Sequence, residues 1–156
     1  MNTHNSAPID VLLVDDSPED VRLTREALKG SRFRIHLEVA TNGEEALAVL
    51  RHQGRHANAA RMNLVLLDLN MPRMDGREML AVMKQDADLK CIPVVILTTS
   101  DSESDILRTY ELHANAYVTK PAHIDEFEST MKAIEDFWIG VAKLPARNFG
   151  ARVYKD

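Results

Sequence analysis

Val65-Leu66-Leu67-Asp68-Leu69-Asn70-Met71-Pro72-Arg73-Met74-Asp75-Gly76 is the stretch whose reading decides the fold. An apolar run ends in one carboxylate, and a loop containing Pro72 and Gly76 follows at once. The run is short and has no polar alternation, so it reads as a buried strand of a parallel sheet. Asp68 then stands at the C-terminal end of that strand, the edge where open α/β sheets bind ligands. Alone, Asp68 is better explained as a turn cap. Two more sites of the same kind reverse that preference.

Working outward, the same unit recurs. Residues 9–14 form an apolar run broken only by Asp10, and it ends in Asp15 and Asp16. Ser17 and Pro18 supply an N-cap and a first-turn proline for a helix that stops at Gly30. Ile35, Leu37 and Val39 alternate with polar residues as a second strand, and Thr41 to Glu44 has the form of a capping box. Residues 54–63 read as a loop, and Gly76 opens a third helix. Residues 93–98 form a fourth strand ending in Thr98. Ser100 and Glu103 suggest a further capping box before a helix lined by Ile106, Leu107, Tyr110 and Leu112. Residues 116–119 form a fifth strand ending at Lys120. A last, extended helix is expected from about residue 123 to about residue 143. Strand and helix alternate five times, which predicts an α/β fold: a doubly wound, five-stranded parallel sheet with five helices. The expected organisation is a flexible N-terminus at 1–8, one domain at 9–144 and a tail at 145–156.

The chain has 156 residues, 45% hydrophobic and 28% charged, which suits one domain with a sizeable core. A formal net charge of -5 provides no general basic field for nucleic acid. The single cysteine, Cys91, excludes an internal disulfide and fits a reducing, cytoplasmic setting. No apolar stretch approaches the roughly 20 residues that span a bilayer, and the first residues lack a signal-peptide pattern. No membrane association is expected.

Parallel strands bring all their C-terminal ends to one edge, so Asp15, Asp16, Asp68, Thr98 and Lys120 are able to converge. Carboxylates held together repel and raise one another's pKa. A hard divalent cation removes the conflict, and an all-oxygen set without His or Cys suits Mg²⁺ far better than Zn²⁺. A metal-bound carboxylate beside a lysine invites a phosphoryl group. Asp68 would attack as nucleophile, Lys120 would neutralise charge, and Thr98 would donate its hydroxyl to a phosphoryl oxygen. Each residue has a plain structural explanation by itself; jointly, at the matching ends of four strands, coincidence is improbable.

These blocks together resemble the signature of two-component response-regulator receiver domains: Val-Asp15-Asp16-Ser, Leu-Leu-Asp68-Leu-Asn70-Met-Pro72-x-x-Asp-Gly76, Leu-Thr98-Thr99-Ser100, and Tyr117-Val-Thr-Lys120-Pro121. The resemblance covers residues 8–144 and implies the flavodoxin-like receiver fold. It implies Asp68 as phosphoacceptor, Asp16 as a direct Mg²⁺ ligand, Asp15 as a ligand through water, and the Asn70 backbone carbonyl as a further ligand. It assigns Lys120 to the phosphoryl group, makes Thr98 and Tyr117 the switch pair, and implies a cis bond before Pro121. Asp-Ser-Pro-x-Asp-Val-Arg-Leu-Thr near residue 20, Leu-His113-Ala-Asn115-Ala-Tyr-Val, and Ile-Glu135-Asp136-Phe137-Trp138 are similar to the stand-alone regulators of bacterial and cyanobacterial phytochromes. A bacteriophytochrome histidine kinase is then the implied phosphodonor. Thr99 departs from the small residue common after the switch threonine, which implies slower transfer or hydrolysis.

Without a DNA-binding module after the receiver, output is expected through its own surface. Ile124, Phe127, Met131, Ile134, Trp138 and Val141 follow an a/d spacing. The first half of that stripe reads as core. Phe137, Trp138 and Val141 read as an exposed patch and the anchor of a homodimer, the assembly the related regulators use. A receiver-like module that never takes phosphate is the alternative reading. A haloacid-dehalogenase-type phosphatase is disfavoured, because its second Asp would fall at Asn70, which cannot exchange a proton usefully as an acid/base. The resemblance makes the protein a self-phosphorylating switch and not an enzyme acting on other molecules.

Overall fold

The computed structural model describes residues 8–145. Five strands, β1 (Ile9–Val14), β2 (Ile35–Ala40), β3 (Leu64–Leu67), β4 (Val94–Thr98) and β5 (Ala116–Thr119), form one sheet in the order β2-β1-β3-β4-β5. Every pairing is parallel. Five α-helices alternate with them: α1 (Pro18–Lys29), α2 (Gly43–Leu50), α3 (Gly76–Gln85), α4 (Glu103–Glu111) and α5 (Ile124–Glu135). This is the doubly wound sheet expected from the sequence. Residues 1–7 and 146–156, which include most of the expected tail, lie outside the described residues.

The period of two along each strand sorts side chains onto the two faces of the sheet. Leu12, Val14, Val65, Leu67, Val94 and Ile96 pack with Ala46, Leu50, Met79, Leu80 and Met83 of α2 and α3. Val11, Leu13, Leu64, Leu66, Val95 and Leu97 pack with Leu28 of α1 and with Phe127, Met131 and Ile134 of α5. Both faces are covered, which is why these strands carry continuous apolar runs.

The sheet ladders continue past the strand ends and fix the residues that follow. Asp15 N–H donates to Ala40 O and Asp68 N–H to Val14 O, each at 2.9 Å, and Lys120 N–H donates to Thr98 O at 2.6 Å. The three side chains therefore leave the same edge from backbones that are held in register.

Several local expectations are corrected. The cap of α2 is Asn42, one residue beyond Thr41, and Glu45 returns to Thr41 N. The cap of α4 is Ser102, and Ser100 instead donates to Asp105. In both places neighbouring small polar residues compete for one cap, and backbone geometry picks between them. The full capping box belongs to Asp75 and Glu78 on α3. Residues 54–63 contain one 3₁₀ turn, Gly54–His56. On α4 the buried residue is Thr109, while Leu107 and Tyr110 face solvent.

The bond before Pro121 is trans, and no cis peptide occurs among the described residues. An X-Pro bond keeps a trans preference of about 0.5–1 kcal/mol unless a tight turn demands otherwise. The last helix is α-helical only to Glu135; Asp136–Val141 is a π turn, closed by Ala142 N–H on Phe137 O at 2.7 Å. The wider turn seats Gly140 against Phe33 and breaks the a/d spacing. Ile134 is buried, Trp138 is half-buried against the core, and Phe137 and Val141 are exposed. Trp138 is thus mainly a packing residue, with the Phe137 ring edge-to-face on it at 5.3 Å.

Gly76 closes the loop after Asp68 by donating its N–H to Leu69 O at 3.0 Å. A Cβ there would lie 2.2 Å from Asp68 O and 2.8 Å from Leu69 Cα, backbone atoms that are unable to swing aside. Gly76→Ala is expected to lower stability by about 2 kcal/mol or more, read as a fall in the urea midpoint. A loss below about 0.5 kcal/mol, the size of an ordinary surface change, would contradict this close approach.

Candidate functional site

The order β2-β1-β3-β4-β5 reverses direction between β1 and β3, and ligand crevices form at such a reversal. Asp15 and Asp16 follow β1 and Asp68 follows β3, so the acids flank the crevice. One carboxylate oxygen from each lies within 4.8 Å of the others. Asp15 and Asp68 are buried and Asp16 is exposed. The set contains three hard oxygen donors with one face toward solvent, and neither His nor Cys. It fits a hard divalent cation.

Lys120 closes the crevice from β5. Its Nζ donates to Asp15 at 2.7 Å, to Asp20 at 2.8 Å and to Asp68 at 3.4 Å. Burial alone would lower its pKa, but the hydrogen bonds it donates to Asp15 and Asp20 outweigh it and hold the ammonium well above the ordinary lysine range. Burial pushes the Asp15 carboxyl upward, and Lys120 and the Ser17 N–H work against that push.

Thr98, at the end of β4, is fully buried, and its Oγ1 has no hydrogen-bond partner among the described residues. Buried hydroxyls are normally paired, so an unpaired one next to the acid site points to an acceptor that arrives from outside. Asn70 is exposed, and its N–H reaches Asp68 Oδ1 at 3.5 Å. Thr99 is exposed and lines a shallow cavity of about 130 Å³ with Glu19, Asp20, Lys120 and His123.

Tyr117 is half-buried, and its hydroxyl donates to Ser100 O at 2.9 Å. Ser100 Oγ in turn donates to Asp105 Oδ2 at 2.7 Å, and Arg77 of α3 holds Asp105 Oδ1 from Nη2 at 2.8 Å and Nε at 3.2 Å. The segment joining β4 to α4 is thereby tied to α3 on one side and to Tyr117 on the other. The structure brings together Asp15, Asp16, Asp68, Thr98 and Lys120; Tyr117 stands behind them, and Phe137, Trp138 and Val141 lie on the extension of α5.

Asp20 and the Arg77–Asp105–Ser100 link have no counterpart among the residues expected from the sequence. In the sequence Asp20 stands only as the second acid of the Asp-Ser-Pro-x-Asp motif, with no role attached to it. Its partner is 100 positions away, and no local pattern announces that pairing.

The chain matches the family model described as response regulator receiver domain over residues 11–132. It is 46% identical to the response regulator Rcp1 of Synechocystis sp. over 146 residues, 94% of this chain and 99% of that protein. The crystal structure of Mn²⁺-bound Rcp1 is similar at a TM-score of 0.85 and 47% identity, covering 89% of this chain and all of that one. The phosphorylated cyanobacterial phytochrome response regulator RcpA gives 0.87 and 46%, covering 90% and 100%. The bacteriophytochrome response regulator AtBRR gives 0.71 and 39%, covering 90% and 100%.

The Ser100 hydroxyl, then Arg77, hold the Asp105 carboxyl below the ordinary carboxylate range. A depressed folded-state pKa stabilises above the unfolded value and is lost as pH falls through the folded one. Asp105→Asn is therefore expected to cost about 1–2 kcal/mol at pH 7. Its gap from wild type should narrow as pH falls below the ordinary carboxylate value of about 3.9. Paired denaturation curves across that range check it; a gap that is constant with pH would contradict the charged link.

Proposed function

The chain belongs to the response regulator receiver domain family, and on that premise we propose that it is a switch whose Asp68 accepts a phosphoryl group from a sensor histidine kinase. The observation that carries this reading is the convergence of Asp15, Asp16, Asp68 and Lys120 beside a buried Thr98 hydroxyl that lacks a partner. An Asp68 carboxylate oxygen bonds to phosphorus while the bond from phosphorus to the donor imidazole nitrogen breaks. That nitrogen leaves with the electron pair, and an acyl phosphate remains on Asp68.

The divalent cation is proposed to be Mg²⁺, held by Asp16, Asp68, the Asn70 carbonyl and, through water, Asp15; when bound it neutralises charge on the transferring group. Lys120 transfers a hydrogen bond from Asp68 to a phosphoryl oxygen, for which it is already within reach. Thr98 Oγ1 takes another phosphoryl oxygen as its missing acceptor. Tyr117, whose hydroxyl is tied to Ser100, follows Thr98 inward and releases that bond. The phosphoryl group thus shifts a two-state surface by interacting better with one state than the other. Hydrolysis returns the switch. Thr99 narrows the approach at the rim and slows exchange.

Similarity to RcpA and AtBRR supports a phytochrome kinase as donor. No helix among the described residues is long and apolar enough to cross a membrane, and the acidic net charge gives no nucleic-acid surface; we place the protein in the cytoplasm. Leu107 and Tyr110 on α4, with Phe137 and Val141 beyond α5, are exposed apolar residues. They support a homodimer through the face built from α4, β5 and α5.

Phosphorylation by acetyl phosphate with Mg²⁺, read on a phosphate-affinity gel, tests the switch. A retarded band is expected for the wild type and is expected to vanish in Asp68→Asn or with chelator. Absence of the band in the wild type would leave a receiver-shaped binding module in place of a phosphorylated one.

A further inference from the structure

Lys120 has three N–H donors, and the structure gives it three carboxylates. Asp15 and Asp68 also belong to the acid set that fits the divalent cation; Asp20 stands outside it. Asp20 is fixed by the first turn of α1, where its own N–H is taken by Ser17 Oγ at 3.2 Å. Its side chain is 29% exposed, while that of Lys120 is 4% exposed. It therefore sits at the mouth of the crevice, between solvent and the buried ammonium.

This arrangement addresses a conflict. The cation and Lys120 draw on the same two carboxylates, Asp15 and Asp68. Were those two acids the lysine's only partners, each cation would enter at the other's expense. An ammonium left without a counter-ion in a buried site is costly. We propose that Asp20 is a positioning residue that anchors Lys120 at the crevice mouth when the divalent cation claims Asp15 and Asp68, so that lysine and metal share the site instead of excluding one another. The proposal rests on the phosphorylation-site reading above. It assigns Asp20 a role through Lys120, not through the metal itself. In the phosphorylated state the same contact leaves Nζ near Asp68 with its other donors free for a phosphoryl oxygen.

A double-mutant cycle on the full chain tests it, with Mn²⁺ as the probe and free Mn²⁺ counted by electron paramagnetic resonance. Asp20→Asn is expected to weaken Mn²⁺ binding about tenfold, the size of coupling seen between contacting residues. Asp20→Glu keeps the carboxylate and is expected to stay within about threefold of wild type. In a Lys120→Met background, Asp20→Asn is expected to change the affinity by less than about twofold, because no ammonium remains to be diverted. Asp20→Ser repeats the neutral substitution should Asp20→Asn unfold. Equal weakening in both backgrounds would overturn the proposal and make Asp20 a bystander charge; so would unchanged affinity when Lys120 is present. Failure of the wild type to bind Mn²⁺ would instead remove the phosphorylation-site reading, and this inference with it.

Discussion

The site depends on one buried ammonium. Lys120 is 8% exposed and lies among carboxylates from β1, α1 and β3. A charge in such a place is tolerated only when it is paired and hydrogen-bonded. The reverse also holds: Asp15 and Asp68 repel each other, and the lysine between them lets both stay near one point. Breaking a buried pair by removing one partner costs on the order of 3–5 kcal/mol, so neither side is replaceable alone. The parallel sheet meets this requirement, since its strands all end at one edge and place residues 15, 68 and 120 there on hydrogen-bonded backbone.

In the proposed switch, the same edge also carries the signal outward. Thr98 and Lys120 end adjacent strands, and the Lys120 N–H is bonded to Thr98 O. A group that draws the Thr98 hydroxyl acts on a segment whose next residues are held by Tyr117 and, through Asp105, by Arg77. Beyond that segment lies α4, whose Leu107 and Tyr110 face solvent. A local change in charge is thereby linked to an exposed apolar surface through a few discrete hydrogen bonds. Contacts of that kind have two arrangements instead of a continuous range.

Much of this was legible in the sequence because the signals are local or periodic. Apolar runs and, for β2, an alternating segment marked the strands, Pro18 and Gly30 bounded α1, and Gly76 opened α3. Polar residues at the strand ends marked the site because parallel topology does the rest. The misreadings arose where the outcome depends on tertiary choice. Thr41 against Asn42, and Ser100 against Ser102, are near-equal caps until the neighbouring chain is placed. Leu107 and Tyr110 look like a buried stripe by spacing, yet they lie on the side of α4 away from the sheet. The π turn after Glu135 brings Gly140 to Phe33, a contact across the fold. Asp20 stayed hidden for the same reason, since its partner lies on another strand.

The most direct measurement follows the Lys120 Nζ resonance by ¹⁵N nuclear magnetic resonance, first with Mg²⁺ and then with beryllofluoride as a phosphoryl analogue. The expected result is a slowly exchanging ammonium that shifts with Mg²⁺ and shifts again with beryllofluoride, together with the Thr98 amide. A Lys120 signal that stays unmoved while beryllofluoride binds would mean that the phosphoryl group is held without the lysine, and would contradict this account of the site.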